Sequence, residues 1–241
     1  APVPGAAEGR GLTANPSRPT TADNARFIEP QYLQVEAGYT ADLFEDPIPS
    51  LHRLNLLTII GVSELFEARL GWDLYTASGL DSGLGDLTLG VKGGFFGGWD
   101  EATALAAIGE LRLPSGDGPA AIGDGIEGLA ALVATQVISA IQFDLQAGLR
   151  AHLFSDSPTF FIPISLAATW APLDALRIYA DVVEGLDLTN LSQSTTTIGG
   201  GAGYFILPNL CVDSAVRVGL SPSLPDISVT GGVTVLAGPL W

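Results

Sequence analysis

The side chains able to do chemistry fall into a few groups. Asp144, Arg150 and His152 stand at even spacing in one segment, so an extended chain puts them on one face, where a His–Asp pair can pass a proton as acid and base. A hydrolase also needs a nucleophile beside that pair. No serine has the matching parity, and a lipid-acting enzyme needs groups reachable from the bilayer, so no catalytic residue is assigned and the chain reads as no enzyme. His52 stands beside a polar loop and reads as a solvated side chain. Cys211 is the single cysteine, which excludes an internal disulfide, and there is no redox motif. Asp42, Glu45 and Asp46, and again Asp117, Asp124 and Glu127, carry the oxygen ligands that calcium takes. Their spacing is not that of an EF-hand, and GDGPAAIGDG lacks the Lys-Ser/Thr and the following helix of a phosphate loop, so both read as solvated acidic loops. No metal and no cofactor is expected. With 10 basic against 26 acidic residues, a net charge of −16, nucleic acid is excluded as a partner.

Most of the remaining charges share one property: each sits at every second position of a segment whose other positions are apolar. In Ile141 to Leu153, the residues Ile141, Phe143, Leu145, Ala147, Leu149, Ala151 and Leu153 face one way, and Gln142, Asp144, Gln146, Gly148, Arg150 and His152 the other. Phe66 to Tyr75, Leu87 to Phe95 and Leu105 to Leu113 repeat the pattern. Further segments lie near Leu33 to Tyr39, Leu54 to Ile60, Leu129 to Val137, Phe160 to Trp170, Leu176 to Val182, Ile198 to Ile206, Leu210 to Val218 and Ile227 to Trp241, which makes twelve. Short turns and longer polar connections alternate between them. That alternation, an even strand number and segments of about 9 to 11 residues predict an all-β fold, a transmembrane antiparallel up-and-down β-barrel of about twelve strands with both termini on the periplasmic side.

A soluble sandwich gives the same periodicity, with the apolar face turned inward. Three features favour the membrane barrel: the uniform segment length, the polar parity of Arg53, Arg69, Lys92, Arg112, Arg150, Arg177 and Arg217, and an alternating last segment whose final residue, Trp241, has apolar parity. No run of about twenty apolar residues exists to form a membrane helix; the best window, Gly128 to Phe143, is too short and carries Thr135, Gln136 and Ser139. With the apolar parity on lipid, the bore collects Glu36, Arg53, Glu67, Arg69, Asp73, Asp86, Lys92, Glu110, Arg112, Asp144, Arg150, His152, Arg177, Asp181, Asp213 and Arg217, together with Tyr179 and Cys211. Turning an Arg or Lys onto hydrocarbon near the midplane costs roughly 2–4 kcal/mol, which fixes the orientation. Two readings of this lining stand side by side: an ionic constriction that selects solutes, or interlocking ion pairs that brace or plug the barrel. Trp72, Trp170, Trp241 and Tyr204 take the lipid parity, as in an interfacial aromatic belt.

Residues 1–29 are rich in Pro, Ala, Gly, Ser and Thr, show no apolar period and form an irregular N-terminal arm before a barrel over 30–241. Arg10, Arg18 and Arg26 lie in it. The arm is expected along the periplasmic rim, in the lumen as a plug, or on a protein partner, and the loops are a second candidate contact. Methionine is absent and the chain opens Ala-Pro-Val-Pro, which reads as an exported product whose signal peptide has been removed.

GVSELFEARLGW, SGLGDLTLGVKGGFF and ELRLPSGDG, in that order, with LPNLCVDSAVRVGL near the C-terminus, resemble the outer-membrane barrel family assigned as transporters of the MetA pathway of phenol degradation. The likeness covers about Tyr32 to Trp241. Its most specific pieces are Gly83 to Gly90, GLGDLTLG, and Leu113 to Asp117, LPSGD. Gly93-Gly94 stand where the family often has an aromatic and a basic residue. The resemblance implies a Gram-negative outer-membrane location and passive passage of small, hydrophobic or aromatic solutes. The alternative is a non-conducting barrel that anchors or builds a larger surface assembly.

Overall fold

The structure, a computed structural model, describes residues 13–45, 48–97, 101–154 and 158–240. Thirteen strands form one antiparallel sheet: β1 Leu33–Leu43, β2 Leu51–Ser63, β3 Phe66–Ser78, β4 Asp81–Gly83, β5 Leu87–Phe96, β6 Thr103–Leu113, β7 Ile126–Ile138, β8 Ile141–Leu153, β9 Thr159–Leu173, β10 Leu176–Asp187, β11 Thr195–Leu207, β12 Leu210–Gly219 and β13 Ile227–Ala237. Apart from β4, which β5 bypasses to pair with β3, neighbours in sequence are neighbours in the sheet, and β1 pairs with β13 as well as β2, so the sheet closes on itself. β4 is a three-residue strand that hangs on the end of β3 and is not a stave of the wall, which leaves a closed barrel of twelve strands.

The alternation in the sequence becomes two faces. Leu145 and Leu149 are each 46% exposed, whereas Asp144 between their neighbours is 2% exposed. Leu70, Trp72, Leu89, Val91, Leu166, Trp170 and Tyr204 join the exposed apolar exterior, and Glu36, Glu67, Asp86 and Lys92 are buried. Apolar residues outside and charges inside is the inverse of a soluble sandwich. Such an exterior is stable only in hydrocarbon, where closure also removes every unpaired strand edge.

The strands outrun the alternation that announces them. β2 begins at Leu51 rather than Leu54, because Leu51, His52 and Arg53 keep pairing with Asp42, Ala41 and Thr40 of β1. β10 likewise runs to Asp187 along Phe161 of β9. β13 ends earlier than the sequence suggests, at Ala237, since Pro239 has no N–H to continue a ladder; Trp241 lies outside the described residues. The alanine-rich β7, whose alternation is weak, is held by unbroken registers with β6 and β8. At one end of the barrel the connections are tight, as at Glu64–Leu65, Ser139–Ala140, Asp174–Ala175 and Pro208–Asn209; at the other they are long.

Candidate functional site: the bore and the N-terminal arm

Residues 13–32 carry no strand, yet they are among the most buried of the chain: Ala22, Ala25 and Phe27 are at most 1% exposed. An irregular segment inside a barrel has no ladder for its backbone N–H groups, and each buried one needs an acceptor. The wall supplies side chains. Asn15 N–H donates to Gln34 Oε1 (2.8 Å), Ser17 N–H to Glu36 Oε1 (2.9 Å) and Arg18 N–H to Glu36 Oε2 (3.2 Å). Thr21 N–H donates to Asp181 Oδ2 (3.0 Å), Asp23 N–H to Gln146 Oε1 (2.9 Å), Ala25 N–H to Thr135 Oγ1 (2.7 Å) and Ile28 N–H to Glu67 Oε1 (2.6 Å). The acceptors come from β1, β10, β8, β7 and β3, so the segment is held from around the ring.

The bases answer the carbonyls. Lys92 Nζ donates to the carbonyl oxygens of Arg26 (2.5 Å) and Asn24 (3.2 Å), Tyr179 Oη donates to that of Pro19 (3.0 Å), and Arg217 reaches the same Pro19 oxygen. Ion pairs add to this. Asp23 lies 2.5 Å from Arg69 and 3.7 Å from Lys92, which also faces Glu67 at 3.2 Å. Arg18 reaches Asn55, Thr230 and Asp213. Burial of these charges is tolerable only because almost every one meets a partner in the low-dielectric interior.

Apolar anchors fix the two ends of the segment near the tight-turn end. Phe27 and Ala25 pack on Ala104, Ala106, Ile108 and Val133, and Lys92 sits 4.9 Å over the Phe27 ring. Ala14 and Ile28 pack with Ile59 and Leu236, while Ala14 N–H bonds the Pro208 carbonyl. Gly94 makes room: a Cβ there would lie 2.9 Å from Phe27 Cε2.

Beyond the arm the bore holds a cavity of about 200 Å³ lined by Asp73, Thr88, Glu110, Arg112, Glu127, Leu129 and Arg150. Arg150 faces Glu127 at 3.8 Å and Arg69 faces Glu110 at 3.8 Å. The connection between β6 and β7 folds against this end of the barrel. Asp86 accepts from the N–H groups of Ser115 (3.1 Å), Gly116 (2.9 Å) and Ile122 (2.7 Å) and pairs with Arg112 at 3.0 Å. The Leu84 carbonyl accepts from Asp117 and Gly118 N–H, and Asp117 Oδ1 accepts from Leu84 N–H. GLGD and LPSGD therefore form one clamp, and Gly116 has no room for a Cβ against Gly85 and Leu84.

The other candidates from the sequence distribute as follows. Arg53 binds Asp42 at 2.6 Å near the long-loop end, where Ser228 also donates to Asp42. Asp144 accepts from Thr135 and Gln142 rather than from His152, which instead meets the Asp124 carbonyl at 2.7 Å. The proton-sharing pair is not formed. Arg177 lies at the tight-turn end, bonded to the carbonyls of Leu173 and Asp174 and 5.3 Å from the Phe205 ring. His52 stacks on Tyr39 and contacts Ser50. Cys211 is buried. Among the described residues no group of His, Cys, Asp or Glu is placed to hold a metal ion, and Asp46 of the first acidic loop lies outside them. Sequence reasoning missed the neutral acceptors Gln34, Asn55, Thr135 and Gln146, which its own alternation placed on the bore face, and the arm's use of backbone.

No curated protein sequence matches the chain. Solved structures do resemble it in fold: an outer membrane channel, COG4313, from Pseudomonas putida F1, at 12% identity and a TM-score of 0.67, covering 93% of this chain and 100% of that one; the NanC porin, at 10% identity and 0.61, covering 84% and 98%; and the KdgM porin, at 10% identity and 0.59, covering 83% and 98%. All three are porins or channels of membrane-barrel form, as the exterior of this chain requires. Residues 16–235 match the family described as "Putative MetA-pathway of phenol degradation", and the chain belongs to that family.

Proposed function

We propose that the chain is a passive channel of a bacterial outer membrane for small, hydrophobic or aromatic solutes, and that residues 13–29 hold it shut. The tight-turn end then faces the periplasm with both termini, and the long loops face outward. The observation that carries the reading is the complementarity of bore and arm: wall carboxylates and amides take the arm's N–H groups, and wall bases take its carbonyls. A lumen built only to brace a wall would pair its charges with one another. The described bore charges do so only partly; Glu36 and Glu67 spend acceptors on the arm. The charged cavity of about 200 Å³ outside the arm has room for one single-ring aromatic, with Leu129 for its face and Arg or Glu groups for a hydroxyl. The family's association with phenol degradation supports that solute class.

Asp23→Asn tests the reading. It removes the arm's charge at its centre, while Arg69 keeps Glu110 and Lys92 keeps Glu67, so the wall stays folded. Uncoupling a buried pair costs about 3–5 kcal/mol, so the open fraction in planar bilayers should rise by roughly two orders of magnitude or more. Phenol influx into proteoliposomes should rise with it. A second reading, a structural barrel without flux, is favoured by the filled bore itself; a folded Asp23→Asn protein that never conducts would establish it.

A further inference from the structure

The barrel closes where β1 meets β13, and one row of residues crosses that seam. Asn55 of β2, Gly38 of β1, Gly232 of β13 and Asp213 of β12 are consecutive partners in register, and Thr230 lies one step along β13 on the same face. Glycine in a strand interior weakens it and marks a close approach. Here the approach is the Arg18 guanidinium: a Cβ on Gly38 would overlap it, and one on Gly232 would lie 2.7 Å from Nε. Around the plane stand three acceptors, Asn55 Oδ1 at 3.2 Å, Thr230 Oγ1 at 2.8 Å and Asp213 Oδ1 at 3.5 Å. A flat slot with acceptors about its rim fits a planar, forked cation and not a compact ammonium.

The slot offers more than Arg18 uses. The Asp213 side chain is fully buried, yet its link to Arg18 is long, and its second oxygen, Oδ2, is buried with no hydrogen-bond partner among the described residues. The Arg18 guanidinium, tethered through its backbone at Glu36, reaches one of the two oxygens. A free guanidinium carries no tether and can take both, and a bidentate pair is the stronger arrangement. Every wall element of the slot belongs to the barrel, so the site persists when the arm leaves. The net charge of −16 raises the local concentration of cations near it.

We propose that the row Asn55–Gly38–Gly232–Asp213 is a binding site for small guanidinium compounds, occupied in this structure by the chain's own Arg18 and open to a free guanidinium solute when the arm withdraws. The site itself stands on geometry; its effect on flux rests on the channel reading above. The test uses full-length Arg18→Ala, which empties the slot and leaves the wall intact, with chymotryptic cleavage after Phe27 reporting release of the arm. Cleavage should be at least tenfold faster than in the wild type, since charge-assisted hydrogen bonds are worth about 1.5–3 kcal/mol. Titration calorimetry of folded Arg18→Ala should show methylguanidinium binding at millimolar concentration at least tenfold tighter than methylammonium; the wild type, its slot filled, should bind at least tenfold more weakly, and Arg18→Ala with Gly38→Ala should lose the binding. Gly38→Ala alone, with Arg18 present, should also be cleaved faster. Equal binding of the two cations, or binding that survives Gly38→Ala, would overturn the site. Guanidinium binding with conductance silent throughout would uphold the site and remove the channel.

Discussion

At the scale of single residues, Asp86 ties a whole connection to the wall. One carboxylate takes three backbone N–H groups of the β6–β7 connection and the Arg112 guanidinium. Asp86→Ala would leave these donors without an acceptor in a half-buried place, at a cost of roughly 3 kcal/mol. The urea midpoint of the folded barrel should fall and residues 114–125 should become protease-sensitive; an unchanged midpoint would show the clamp to be idle. Asp86 was legible in the sequence as a bore charge, and its GLGD and LPSGD surroundings as a family likeness. That the two pieces touch was not, because the donors are backbone groups some thirty positions away and carry no residue signature. Neutral acceptors escaped for a related reason. Gln34, Thr135 and Gln146 sit on the bore face of their strands, but attention to charge passes over an uncharged oxygen.

At the scale of elements, the strands were readable because their two faces meet opposite solvents. Leu145→Arg puts a guanidinium on the exterior of β8 near mid-strand and should destabilise the barrel by roughly 2–4 kcal/mol, against little change for Gln146→Glu one position away on the bore side. Reversible unfolding into and out of bilayers measures both; equal penalties would invert the assignment of faces. Strand ends were less readable. Past the bilayer the two faces see the same water, so alternation fades, while the ladder of β2 and β10 continues through His52 and Glu184 on backbone pairing alone. Pro163 within β9 gives a further local irregularity: the register with β8 runs to Ala147–Ile164 and resumes at Arg150–Phe161. On its other side Pro163 keeps its register partner, Gly185 of β10.

At the scale of the whole molecule, the described arm is neutral, Arg18 and Arg26 against Asp23 and Glu29, and four wall carboxylates face it against three wall bases, Arg69, Lys92 and Arg217. Arg18 and Arg26 come from the arm, and Glu36, Glu67, Asp181 and Asp213 face it from the wall. Once the arm leaves, those carboxylates outweigh the bases that remain near them. The open Asp23→Asn channel should therefore select cations, read as a reversal potential displaced toward the cation's equilibrium value in a KCl gradient; anion preference would contradict this charge layout. The arm was visible in the sequence as an aperiodic segment carrying three of the ten bases, with the lumen as one of three placements open to it. The contacts that hold it escaped because its irregular backbone, which defeats pattern reading, is the feature the wall recognises.

The amide nitrogens that Gln34, Glu36, Asp181, Gln146, Thr135 and Glu67 grip are common to every amino acid except proline. Evolutionary constraint at this interface accordingly falls on the gripping partner. Away from Arg18, Asp23 and Phe27, whose side chains the barrel also engages, the tethered stretch is free to drift in composition, whereas a single change in the staves that clasp it removes a hold on a backbone group that no substitution in the stretch can restore.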